Sequence, residues 1–122
     1  MIDPDIHFRV LNILGENPYI SQRDLSKKLN LSLGSVNYCL KALIQIGHIK
    51  IQNFQKNPKK FNYIYVITPK GVMKKSILLK GFLKRKVEEF RQLKEEIESI
   101  QLQNKETLKN NLSSKYRNIK HK

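Results

Sequence analysis

Residues 21–47 read SQRDLSKKLNLSLGSVNYCLKALIQIG, and one start signal occurs in them twice. Ser21 stands three residues before Asp24, the spacing of a capping box, with Ile20 and Leu25 at the positions of a hydrophobic staple. Ser32 opens the second signal, with Leu31 and Val36 at the same staple positions. Between them, Asn30 can adopt the left-handed conformation that closes a helix. Two capped amphipathic helices are then joined by Asn30, Leu31 and Ser32 alone, which predicts a helix-turn-helix. Gly47 is placed to end the second of them.

The flanking segments extend this unit. Upstream, Asp3 is a good N-cap and Pro4 suits the first helical position, where a missing N–H costs nothing. The spacing predicts a first helix with Ile6, Val10, Ile13 and Leu14 as its apolar stripe, ending across residues 15–18. Downstream, IKIQNF and FNYIYVI are rich in β-branched and aromatic residues, and QKNPKK supplies turn chemistry between them. A hairpin with Lys56, Lys59 and Lys60 at its tip is expected there. Thr68 and Pro69 then cap and open a further helix. Three helices followed by a hairpin, with a helix-turn-helix inside, make a winged helix. The expected fold is mainly α with a small β-hairpin: a winged helix-turn-helix domain over residues 1–75, followed by a long coiled-coil helix.

That long helix is marked by what it lacks. No Pro follows Pro69, and the last Gly is Gly81. Leu79, Leu83, Phe90, Leu93, Ile97 and Ile100 fall on the a and d positions of a heptad repeat, with Lys86 interrupting one d position and Asn104 one a position. So long a stripe exceeds what a small domain can cover, so residues 76–110 are expected to dimerise as a coiled coil, parallel or antiparallel. Residues 111–122 are polar and basic, and are expected to form a flexible tail.

Charge narrows the function. The chain has 122 residues and a net charge of +14. Residues 1–83 carry +9, residues 84–107 balance, and residues 108–122 carry +5. Such a surplus points to a polyanionic partner, nucleic acid before an anionic membrane. Cys39 is the one cysteine, so no disulfide framework or thiolate metal site is expected. It falls at the edge of an apolar helix face, as a buried structural thiol does. His7, His48 and His121 lack ligand spacing, and no apolar run reaches the ~18 residues that span a bilayer. There is no Gly-rich phosphate loop and no nucleophile–base pair, so neither an enzyme nor a cofactor is expected. A cytoplasmic protein is expected.

The candidate binding residues lie on the second helix of the motif. Gly34, Tyr38, Lys41 and Gln45 share one face, opposite Val36, Leu40 and Leu43. That face holds a single cation and several small or flat groups, which suits contact with another surface. In a helix-turn-helix the second helix enters the major groove of DNA. Gly34 then permits close approach, while Ser35, Asn37 and Tyr38 can meet phosphates or base edges and Lys41 adds a cation. Ser32 and the free N–H groups at the helix start form a phosphate site. The wing lysines Lys56, Lys59 and Lys60, together with Lys50, fit phosphate contacts beside the groove. The same face could instead dock a protein, and basic winged helices can also grip structured RNA.

With these residues in place, the chain resembles the MarR-type winged-helix regulators, and most of all their small subfamily associated with extracellular-polysaccharide gene clusters. The resemblance rests on NPYISQRDLSKKLNLSLGSVNYCLKALIQIGHIKIQNF and YVITPKG, and covers roughly residues 5–100. It implies a homodimeric regulator that binds palindromic double-stranded DNA and controls exopolysaccharide or cell-envelope genes. Typical members dimerise through helices at both ends and bind small aromatic acids between the two regions. Here the first DNA-domain helix begins almost at Met1, so no small-molecule effector is expected.

Overall fold

Asp3 starts the first helix as the sequence indicates. In the computed structural model its carboxylate accepts hydrogen bonds from the backbone N–H groups of Asp5 (2.8 Å) and Ile6 (3.3 Å). The backbone is described for residues 2–57 and 60–120, and side chains for residues 2–53 and 63–113. The elements in chain order are α1 (Pro4–Glu16), α2 (Gln22–Leu29), α3 (Leu33–Gln45), β1 (Ile49–Asn57), β2 (Lys60–Ile67) and α4 (Pro69–Lys120). The fold is therefore mainly helical, a helix-turn-helix followed by a two-stranded antiparallel wing and a long helix.

The turn between α2 and α3 is closed by the residues that predicted it. Ser21 accepts from the Asp24 N–H at 3.0 Å and Ser32 from the Ser35 N–H at 3.1 Å. Asn30 takes the left-handed conformation, with φ 54°. The Leu31 N–H returns to the Ser26 carbonyl at 3.1 Å, while the Ser26 hydroxyl donates to the Leu31 carbonyl. Few backbone groups are left to water in this three-residue turn, so the angle between the two helices is fixed locally.

The core joins all three short helices to the base of the wing. Val10, Leu11, Leu14, Ile20, Leu25, Leu29, Val36, Leu40, Leu43 and Ile49 are buried together, and Tyr65, Ile67 and Leu78 pack against them. Each fully buried aliphatic side chain is worth ~1.5–3 kcal/mol, so the cluster holds α3 against the rest of the domain. The buried face of α1 is rotated from the expected stripe. His7, Phe8 and Leu11 join Val10 and Leu14 inside, while Ile6 and Ile13 are only partly buried. The aliphatic pattern alone favours Ile6 and Ile13, because it gives a histidine no place in a core.

In the wing, Ile49 pairs with Ile67, Ile51 with Tyr65 and Asn53 with Tyr63, with an irregularity between Phe54 and Asn57. At its exit the Thr68 hydroxyl donates to the Gly47 carbonyl at 2.6 Å and accepts from the Gly71 N–H at 3.1 Å. Gly47 has φ 81°, a conformation that favours glycine, and Gly71 has a different reason. A Cβ at Gly71 would be driven into the backbone carbonyl of His48 and against Ile67, so only glycine lets α4 start so close to the wing.

The chain divides into two compact units, residues 1–83 and 84–122. The second is a continuous part of α4. The expected break near Asn110 does not occur, and the helical backbone runs on to Lys120. No Gly or Pro follows Gly81, so nothing in the polar tail interrupts the hydrogen-bond ladder.

Candidate nucleic-acid interface

The phase of α3 is set by its buried side. Val36, Cys39, Leu40 and Leu43 face the core, which turns Gly34, Asn37, Tyr38, Lys41 and Gln45 outward together, all exposed. The structure thus assembles the predicted face. Tyr38 keeps 61% of its surface, so its ring is not spent on packing. A Cβ built on Gly34 would meet nothing nearer than the Ser32 hydroxyl at 4.0 Å. Packing therefore does not demand glycine at this exposed helical position, although glycine costs about 1 kcal/mol there relative to alanine.

Ser32 and Ser35 occupy the start of α3, but their side chains are engaged with one another. The Ser32 hydroxyl donates to the Ser35 hydroxyl at 2.9 Å while capping its N–H. Both are exposed, and the remaining N–H groups of the first turn point outward as they do at any helix start. No carboxylate lies anywhere in α3, so its dipole and Lys41 leave the surface open to an anion.

On the wing, Lys50 is exposed on β1. The tip lysines cannot be located in the same way. Lys59, and the side chains of Lys56 and Lys60, lie outside the described residues. Cys39 is buried, and burial pushes its thiol pKa up, so it is a packing group behind the exposed face of α3.

Three contacts that hold this surface join residues far apart in sequence. Gln22, at the start of α2, donates from its amide to the Tyr65 hydroxyl at 2.8 Å and so ties the helix-turn-helix to the wing. The Lys70 ammonium donates to the Ile46 carbonyl at 3.0 Å, placing a cation on the C-terminal end of α3. His7 on α1 and His48, just before β1, stack with centroids 5.1 Å apart and share a 3.0 Å hydrogen bond, Nε2 to Nδ1. Both rings are held below the usual histidine pKa, first by burial. The other ring and Lys74 add to this for His7, and Lys70 and Lys74 for His48. The pair lines a groove of about 560 Å³ together with Tyr38, Gln45 and Lys74. A histidine on the otherwise apolar face of α1 was the one available hint.

The apolar residues predicted on α4 are exposed. Leu79, Leu83, Phe90, Leu93, Ile97 and Ile100 keep between 41% and 68% of their surface, and Asn104 is exposed too. Leu78, the neighbour of Leu79, is the one that packs against the core. Among the described residues no helix is long and apolar enough to cross a membrane.

Known proteins share this arrangement. A family described as "Winged helix-turn-helix DNA-binding" matches residues 3–50. Among solved structures, a transcriptional regulator homologue protein from Pyrococcus horikoshii OT3 is similar, with 16% identity over 70% of this chain and 82% of that one, at a TM-score of 0.51. Streptococcus pneumoniae FabT, solved in complex with DNA, has 24% identity over 74% of this chain and 59% of its own, at 0.53. A MarR transcriptional regulator from Methanosarcina mazei Go1 has 22% identity over 85% and 77%, at 0.51. The chain thus spans less than two thirds of FabT. No curated protein sequence matches it. At these identities the likeness is one of fold, the winged helix-turn-helix.

Proposed function

We propose that the chain is a sequence-specific transcriptional regulator of the MarR type that binds double-stranded DNA as a homodimer in the cytoplasm. The observation that carries this is the outer face of α3. It is exposed from Gly34 to Gln45, free of carboxylates, open above Gly34, and belongs to a domain with a large basic surplus. Gly34 brings the helix backbone close to the groove. Asn37 and Tyr38 meet base edges, and Lys41 neutralises a phosphate, with Ser32 and Ser35 at the helix start. The wing adds Lys50 and the tip lysines Lys56, Lys59 and Lys60 to the flanking phosphates. FabT, which shares the fold, was solved with DNA.

Dimerisation is assigned to α4. A stripe from Leu79 to Asn104 that each chain exposes to water gains ~1.5–3 kcal/mol per buried apolar side chain when two copies meet, enough to offset the entropy of association. A two-fold pair reads a palindrome, with half-sites one helical turn or a multiple apart. The sequence resemblance supports exopolysaccharide or cell-envelope genes as the targets.

Selection of bound sites from random duplex DNA, followed by footprinting of the winner, tests the proposal. A two-fold symmetric protected site is the expected result. Binding without sequence preference, or a preference for folded RNA over duplex DNA, would overturn it.

A further inference from the structure

Within the dimer proposed above, we infer that the two α4 helices run parallel and in register, with Glu89 of each copy facing Lys94 of the other. The starting observation is how the charges of residues 84–113 are used. On the side away from the apolar stripe, Arg91 bonds to Glu88 and Glu95 at 2.6 Å each, and Gln92 bonds to Glu88 at 3.2 Å. These three ions satisfy one another along one helix, while Lys84, Glu98, Lys105 and Glu106 on the same outer side have no such pair among the described residues. The ions flanking the stripe are the ones a second copy can reach. Lys94 and Glu96 have no ion pair or side-chain hydrogen bond among the described residues, and Glu89 reaches only Lys86, at 3.0 Å.

Strand direction decides what those flanking groups meet. With Phe90 at position a, the g positions are Glu89, Glu96 and Gln103, and the e positions are Val87, Lys94, Gln101 and Leu108. A parallel pair sets each g residue against the e residue five places on in the other copy. Glu89 then faces Lys94 twice, once on each side of the seam, and Glu96 faces Gln101. An antiparallel pair sets g against g and e against e, so acids meet only acids or amides, and Lys94 meets no acid. Parallel alignment is the one in which opposite charges come together.

The seam itself agrees. In a parallel, in-register pair Asn104 faces Asn104, and two amides can hydrogen-bond across the axis. An antiparallel seam faces a with d, so Asn104 would meet Leu79 in the alignment that overlaps the stripe fully, and Lys86, Leu93 or Ile100 in shorter overlaps. Against any of the three apolar partners the amide would be buried without a hydrogen bond, which is costly. Lys86 also stacks on its own copy in the parallel pair. Its ammonium is already directed outward to Glu89, which then lies between two cations, its own Lys86 and the second copy's Lys94.

The test is disulfide cross-linking of the full chain in a Cys39→Ala background. Phe90→Cys and Asn104→Cys are made separately and mixed, then oxidised with diamide at micromolar concentration. Two antiparallel helices cross at one point, so both sites can self-link only in a parallel pair. Efficient homodimer bands for each variant alone are the expected result. Self-linking at one site only, or linking only in the mixture, would overturn the direction while leaving the dimer intact. A dimeric mass with no linking at either site would overturn it too, and a monomeric mass for the chain with its native side chains would remove the dimer itself. Charge exchange gives a second readout that spares the seam. Glu89→Lys should weaken dimerisation roughly tenfold, two ion pairs being lost. Lys94→Glu on the same chain should recover most of that. Absence of recovery would overturn the Glu89–Lys94 pairing.

Discussion

The ring of His7 is hydrogen-bonded to the ring of His48, 41 residues away, at 3.0 Å inside the domain. One nitrogen must donate and the other accept, so the accepting ring is neutral, and burial favours the neutral form of both rings. Protonating either ring puts a charge into a buried site that already faces Lys70 and Lys74. Both histidines therefore have lowered pKa values in the folded state, and the unfolded chain binds more protons below the ordinary histidine value of 6.5. Stability should be level above about pH 7.5 and fall as acid is added through 6.5 and below. Thermal melts between pH 5.5 and 8 check this. The His7→Leu, His48→Leu double variant should lose most of the slope, and a wild-type slope in that variant would exclude the pair as its source.

Gly34→Leu should remove operator binding while leaving the domain folded. The position is open to solvent, and leucine is the better helix residue by roughly 0.5–1 kcal/mol, so the melting temperature should hold or rise. The added side chain keeps the helix off the groove. A melt paired with a mobility-shift titration gives both readouts, and normal affinity would show that α3 does not approach DNA at this point.

Lys41→Ala should act through charge. If Lys41 neutralises one phosphate, the slope of log affinity against log salt should become shallower by ~0.9, with similar loss on specific and nonspecific DNA. Replacing Tyr38 or Asn37 should instead narrow the gap between the two DNAs. Salt-insensitive binding would contradict the electrostatic assignment.

Ile97→Asp should give a monomer in light scattering at micromolar concentration. Ile97 keeps 47% of its surface in the isolated chain, so the domain loses nothing by the change, whereas a carboxylate in a dimer seam is buried unpaired. An unchanged mass would move dimerisation away from this stripe.

Gly71→Ala should cost about 3 kcal/mol, at the upper end for overpacking, because the methyl meets a backbone carbonyl that cannot turn aside. Chemical denaturation measures it directly.

The parts of this fold that were legible are those set by neighbours in sequence. Asp3, Ser21 and Ser32 cap because the groups they satisfy lie two or three residues on, and Asn30 and Gly47 end helices by their own backbone conformations. The caps fix where α3 begins, and its local apolar pattern turns the face from Gly34 to Gln45 outward. The contacts that hold this face in place were not legible. Gln22 meets Tyr65 across 43 residues and His7 meets His48 across 41, and such pairs exist only once the helices and wing have packed. The buried face of α1 was read only in part for a related reason: Ile6 and Ile13 pack at its edge, while the place of His7 inside depends on His48, a partner distant in sequence. The end of α4 escaped because polar composition weakens a helix without breaking it.

The junction at Gly47 and Thr68 has a mechanical corollary. Lys70 holds the end of α3, Thr68 holds Gly47, the Thr68 N–H holds the His48 carbonyl at 3.0 Å, and Gly71 sits flush against that same carbonyl. With Gln22 bound to Tyr65, α2, the end of α3, the base of the wing and the first turn of α4 are tied together by direct contacts. Such a body transmits a push without absorbing it. If two copies bind DNA together as proposed, a signal that alters the affinity gains little by bending this body and would act on the spacing of the copies.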